Sequence, residues 1–132
     1  MHTTEIKVRY AETDQMGVVY YANYLVWFEV ARTSYFSAQG LEYTEIEKEG
    51  LGLAVVQAHC VYKAPARYGD TVVVQVWPEN VKASSLKFCY KVYRKEGHVL
   101  LTEGYTTHVL IDKTFRPRKI PEKIRCILQA DA

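Results

Sequence analysis

Asp14-Gln15-Met16-Gly17-Val18-Val19-Tyr20-Tyr21-Ala22-Asn23, with the apolar run Tyr24 to Ala38 behind it, is the stretch whose reading decides the fold. One carboxylate sits in a glycine-containing turn, and a helix start follows it. The first N–H groups of a helix lack partners inside the helix and carry partial positive charge. A carboxylate beside such an end supplies a group that attacks or activates water, next to donors for a developing oxyanion. That combination is the minimum equipment for acyl transfer. Asn23 is placed to cap the helix, because its side-chain oxygen accepts from an orphan N–H.

On the helix, Tyr24, Phe28, Ala31 and Tyr35 form one stripe, flanked by Trp27 and Ala38 on one side and Leu25 and Phe36 on the other. The polar arc is thin: Glu29, Thr33 and Ser37, with Val26 and Val30 beside them. A helix apolar over most of its circumference is expected to be buried on most sides. Gly40 stops it, and a shorter helix is predicted over Tyr43 to Glu49.

Before this stretch, Ile6, Val8 and Tyr10 alternate with Lys7 and Arg9 and predict a strand. After it the period changes from 3.6 to 2. Strands are predicted over Ala54–Lys63, around Val72, Val74 and Val76 up to Pro78, over Ser85–Tyr93, and over Val99–Ile111, with Lys95-Glu96-Gly97 as a hairpin turn. Half-polar alternation means antiparallel strands with one covered face. Five strands and one long buried helix give an α+β class, a sheet curved around the helix.

The 132 residues suit a single domain spanning 1–132, and 48% hydrophobic with 24% charged residues is ordinary for a globular protein. A net charge of +2 gives no argument for nucleic acid. The uncharged run Gln15–Phe28 is too short to span a bilayer, and Glu5, Lys7 and Arg9 interrupt any opening signal segment, so a cytoplasmic protein is expected. Cys60, Cys89 and Cys126 are odd in number and lack metal-ligand spacing, as reduced thiols would be. Eleven tyrosines point to large interfaces. No G-x-S-x-G, H-E-x-x-H, C-x-x-C or P-loop motif occurs, which leaves serine-hydrolase, zinc, thiol-redox and nucleotide-phosphate readings without support.

Asp14 is the leading catalytic candidate. A thioester is an activated acyl group whose thiolate leaves without much help, so one carboxylate and an oxyanion site suffice. Asp is also an ordinary turn residue. Glu12 is either half of an acid pair or a solvated turn charge. Tyr20, Tyr21 and Tyr24 line a pocket or serve packing. Glu29 and Arg32 pair with each other or across an interface, or Glu29 faces an acyl pocket, because buried charges need partners. Lys63, Arg67, Lys82 and Lys87, with Ser84 and Ser85, are either phosphate-binding positions or plain surface.

The run Val8 to Tyr24, continued by Trp27-Phe28-Glu29-Val30-Ala31-Arg32, resembles the signature of hotdog-fold acyl-CoA thioesterases, in the 4-hydroxybenzoyl-CoA thioesterase / YbgC-like group. Ala64 to Asp70, Ser84-Ser85-Leu86 and Arg116 to Pro121 resemble further family segments, so the likeness covers nearly the whole chain. The resemblance implies a curved five-stranded antiparallel sheet around one central helix, in a homodimer or homotetramer with sites at the subunit interface. It implies Asp14 as the catalytic carboxylate, the Tyr21 N–H and Asn23 as oxyanion and positioning groups, and Gly17, Val18, Tyr24 and Glu29 in the substrate pocket. It also implies Lys63, Arg67, Lys82 and Ser84 at the CoA moiety. Coenzyme A enters as part of the substrate; no other cofactor is implied. Many YbgC-like members have His where this chain has Tyr21, which resembles the hydroxybenzoyl branch and leaves aryl and aliphatic acyl groups both open. The rival readings are a non-catalytic acyl-CoA or acyl-carrier-protein module, and a hotdog hydratase or dehydratase using His59 or His108.

Overall fold

A computed structural model describes residues 1–131. The elements run β1 (His2–Lys7), α1 (Asn23–Ala38), α2 (Tyr43–Lys48), β2 (Gly52–Tyr62), β3 (Thr71–Glu79), β4 (Ser85–Arg94), β5 (Val99–Ile111) and α3 (Glu122–Asp131). The strands form one antiparallel sheet in the order β1-β3-β4-β5-β2. Strict alternation buries Val72, Val74 and Val76 of β3 and Leu86, Phe88, Tyr90 and Val92 of β4 on one face. Against that face lies α1, with Tyr24, Trp27, Phe28, Ala31, Tyr35 and Phe36 buried. Each such side chain contributes about 1.5–3 kcal/mol on burial. The Phe28 ring stacks flat on Tyr90 at 4.0 Å. The sheet makes room for it at Gly104: a Cβ there would stand 2.3 Å from the His59 carbonyl and 2.9 Å from Phe28. This is the curved α+β arrangement expected from the sequence.

Several local expectations need correction. The first strand ends at Lys7; Tyr10–Glu12 is a 3-10 turn instead. Asn23 does not cap α1: Ala22 holds the cap position, and the Asn23 amide donates to the Glu12 carbonyl at 2.9 Å. Nor is α1 buried on most sides, because Leu25, Val26 and Val30 are exposed. β3 continues through Pro78 and Glu79 rather than ending there. Its neighbour β1 reaches only as far as Val76, so the missing proline N–H breaks no ladder bond. In β2 the pairing slips between Val55 and Gln57, a bulge that the plain alternation hid. The C-terminal helix α3 went unread; Ile120, Ile124 and Leu128 close one end of the core over Ile46, Leu53, Leu86 and Leu110.

β2 is an edge strand with residues 55–59 all exposed, and Val55, Val56, Val61 and Tyr62 among its apolar side chains. An open, apolar edge of this length invites a further strand.

Candidate active site

Asp14 stands in a tight turn that its own chain closes. Its N–H donates to the Val18 carbonyl and its carbonyl accepts from Gly17, whose φ of +79° suits glycine. One carboxylate oxygen, Oδ1, accepts from the Met16 N–H at 2.9 Å. The other carboxylate oxygen has no protein partner among the described residues. Thr13 bridges to Val19, and the turn is tied down by Val19 N–H to the Ala66 carbonyl and Tyr20 N–H to the Glu12 carbonyl, both 2.9 Å. Beneath it Glu12 is buried, its Oε2 accepting from the Trp27 indole and its Oε1 from the Arg9 N–H, both at 2.8 Å. Glu12 is therefore neither a solvated charge nor half of an acid pair.

The half-buried Asp14 carboxylate opens into a cleft of about 340 Å3, walled by Met16, Val18, Tyr21, Tyr24, Tyr62, Lys63 and Pro65. The first turn of α1 closes through Asn23, Tyr24 and Leu25, which donate three residues back to the carbonyls of Tyr20, Tyr21 and Ala22. The N–H groups of Tyr21 and Ala22, one step earlier, have no protein acceptor among the described residues. Tyr24 is buried at the cleft floor, and its phenol is pushed up from the usual tyrosine range, mainly by burial.

Of the residues singled out from the sequence, Asp14, Val18, Tyr21, Tyr24 and Lys63 thus share one cleft. Gly17 shapes the turn without lining it. Asn23 faces the Glu12 carbonyl. Glu29 lies in a separate depression with Arg32, Thr33, Phe36, Tyr43 and Leu53, and makes no ion pair with Arg32. Arg32 instead donates to the Tyr90 hydroxyl at 3.1 Å, the head of a chain through Thr106 to His108. His108 is buried beside Phe88, and His59 stacks on Tyr105; neither lines the Asp14 cleft. Tyr62 belongs to the cleft yet was legible only as a strand residue.

The basic positions separate into two groups. Lys63 and Arg67 sit near the cleft, where the Arg67 N–H donates to Asp70. Lys82 and Ser84 lie at the far end of β3, nine residues or roughly 30 Å away. There the tail joins them: Ile120 N–H donates to the Ala83 carbonyl, and Arg125 donates to the carbonyls of Lys82 and Ala83. Arg118 and Lys119 arrive on the same tail, so the sequence reading missed three of this group's cations.

The profile of the thioesterase-like superfamily matches residues 8–128. The chain is 42% identical over 120 residues to the putative acyl-CoA thioesterase YneP of Bacillus subtilis, covering 89% of this chain and 86% of that protein. The crystal structure of TT1821 from Thermus thermophilus superposes with a TM-score of 0.92 at 40% identity, over 98% of both chains. Slr0204 from Synechocystis, a 1,4-dihydroxy-2-naphthoyl-CoA thioesterase, superposes with a TM-score of 0.90 at 28% identity, over 96% of this chain and 94% of that one. Matched nearly from end to end in both sequence and shape, the chain belongs to the thioesterase-like superfamily of hotdog-fold hydrolases.

Proposed function

We propose that this protein hydrolyses acyl-CoA thioesters to the free acid and CoA thiol, with Asp14 as the reacting carboxylate. The observation that carries the reading is a half-free Asp14 carboxylate in one cleft with Tyr21, whose N–H at the start of α1 is unbonded. In one route the free carboxylate oxygen attacks the thioester carbon, the thiolate leaves, and water cleaves the resulting mixed anhydride. In the other the carboxylate takes a proton from water as that water attacks. Either way the thioester oxygen gains charge and is held by the Tyr21 N–H. The acyl group enters between Val18, Tyr21 and Tyr24.

The working unit in this reading is a homodimer, or a tetramer of two dimers, joined along the open β2 edges. Antiparallel pairing of β2 with its own copy sets the Tyr62 end of one strand beside the Gly52 end of the other. The Gly52 end is also the end of Ile111 and of the β3–β4 turn. The partner's Lys82, Ser84, Arg118 and Lys119 thereby come toward the Asp14 cleft, next to Lys63 and Arg67. Two cationic groups that lie far apart in one chain then flank one CoA. Glu29 reaches an acyl group only across such an interface. A cytoplasmic setting is part of the proposal, in keeping with three free cysteines.

Turnover of a panel of acyl-CoA and acyl-carrier-protein thioesters by wild type and Asp14→Asn tests the reading. A loss of about 100-fold or more in kcat is expected for the variant. Undiminished turnover overturns the Asp14 assignment. Single turnover in 18O-water bears on the routes: label in the Asp14 carboxylate establishes the anhydride, cleaved by water at its aspartyl carbonyl, and hydroxylamine trapping of Asp14 detects an anhydride that water cleaves at the acyl carbonyl.

A further inference from the structure

Tyr62 is the last residue of the edge strand β2, and its side chain turns toward the start of α1. Its ring meets Tyr24 at 5.3 Å and Tyr21 at 6.3 Å, both edge to face. Its hydroxyl donates to the Tyr21 carbonyl at 3.1 Å. Among the described residues the same carbonyl receives one backbone bond, a long one of 3.3 Å from the Tyr24 N–H.

The carbonyl of one residue and the N–H of the next belong to one rigid plane and point in opposite directions. Two such planes carry the unbonded donors at the helix start. The plane holding the Tyr21 N–H is fixed through the Tyr20 carbonyl, which accepts from Asn23 at 2.9 Å. The plane holding the Ala22 N–H has the Tyr21 carbonyl at its other end, where the grip is the weak Tyr24 bond and Tyr62. Tyr21 and Ala22 are the two central residues of the turn that Asn23 N–H closes on the Tyr20 carbonyl, and Ala22 at φ −67°, ψ −21° makes that turn the helical type, in which the Ala22 N–H runs roughly alongside that of Tyr21.

Resting on the thioesterase reading above, we propose that Tyr62 is a positioning residue. Its hydroxyl holds the Tyr21–Ala22 peptide so that the Ala22 N–H serves beside the Tyr21 N–H as a second donor to the thioester oxygen. Burial raises the Tyr62 phenol above its ordinary range, which keeps the hydroxyl protonated and donating throughout any assay range.

The test is Tyr62→Phe, which removes the hydroxyl and keeps the ring on Tyr24. Losing an oxyanion donor outright costs about 100- to 1000-fold in kcat, so loosening one is expected to cost about tenfold. KM should stay within about twofold, because the ground-state thioester gains less from the donor than the transition state does. Tyr62→Leu should add a rise in KM by removing the wall. The second readout is independent of turnover: the NMR order parameter of the Ala22 amide should fall in Tyr62→Phe while that of Asn23 is unchanged. Unchanged kcat in Tyr62→Phe, or a rise in KM alone, overturns the positioning role. If that variant melts lower than wild type, the order parameters decide: a selective loss at Ala22 supports the proposal and a uniform loss overturns it. A wild type inactive on every thioester sinks the enzymatic reading itself, an outcome distinct from an active wild type indifferent to Tyr62.

Discussion

The Trp27 indole donates to Glu12 Oε2 at 2.8 Å, and this buried bond fastens the turn before Asp14 to the central helix. Glu12 Oε1 accepts from the Arg9 N–H, and the Glu12 carbonyl receives both Tyr20 N–H and the Asn23 amide. One residue thus anchors both ends of the segment that carries Asp14.

Glu12→Ala removes two hydrogen bonds, strands the Trp27 and Arg9 donors, and opens a small cavity. A loss of about 2–4 kcal/mol is expected. Glu12→Gln keeps one acceptor but turns an amide N–H₂ toward a donor, for a loss of about 1–2 kcal/mol. Urea unfolding of the three proteins measures both. A Glu12→Ala midpoint indistinguishable from wild type would mean that the bond carries no weight.

Glu12 marks the boundary between what is legible in the sequence and what is not. Periodicity reports which face of an element is apolar, so β5 was placed from Val99 to Ile111 without error and α1 to within a residue. The turn that sets Asp14 in the cleft was legible because a carboxylate, a glycine and a helix start follow one another within ten residues. Glu12 has no such local signal: its burial depends on Trp27, fifteen residues on, and no pattern within the turn announces that partner. The same holds for Tyr62, which alternation marks only as a strand residue until the sheet's curvature brings it onto Tyr21. Leu25, Val26 and Val30 misled in the opposite sense, since an apolar arc left on the surface and one that faces the core look alike in sequence. α3 escaped because its short apolar stripe, Ile124 to Leu128, is interrupted by Arg125 and Cys126.

His108 makes the stability of the fold depend on pH. Its ring is buried, its Nε2 is hydrogen-bonded to Thr106 at 2.7 Å, and its Nδ1 has no partner within bonding geometry. Burial first, and the Arg32 charge second, lower its pKa from 6.5 to about 4. Above pH 6.5 the ring is neutral whether folded or not, and the full stability is present. Between 6.5 and 4 only the unfolded chain takes up the proton, so stability falls with pH by on the order of 3 kcal/mol. Urea midpoints from pH 7 to pH 4 should show that fall. His108→Gln, which keeps a side chain able to bond Thr106, should flatten it. An equally steep profile in the variant would assign the dependence to other groups.

In the proposed dimer the tail cations meet CoA, and reversing them separates its recognition from the chemistry. Arg125 is unsuitable for mutation, because its guanidinium holds the carbonyls of Lys82 and Ala83 and so shapes the turn itself. Arg118 is partly engaged with Asp112 at 3.4 Å. Lys82 and Lys119 are exposed, and neither has a carboxylate within ion-pair distance among the described residues. Reversing both, Lys82→Glu with Lys119→Glu, replaces attraction for the nucleotide phosphates by repulsion while leaving the Asp14 cleft of the same chain untouched. Exposed charges interact by about 0.2–1 kcal/mol per pair, so two reversals are expected to raise KM for an acyl-CoA roughly tenfold with kcat little changed. The same acyl group on N-acetylcysteamine carries no phosphate and should show no change. Added salt should raise the wild-type KM for the CoA substrate and leave the short thioester alone, since screening acts only where charge is recognised. Equal effects on both thioesters would mean that the reversal disturbs the fold or the assembly. No effect on either would place the CoA phosphates elsewhere on the surface.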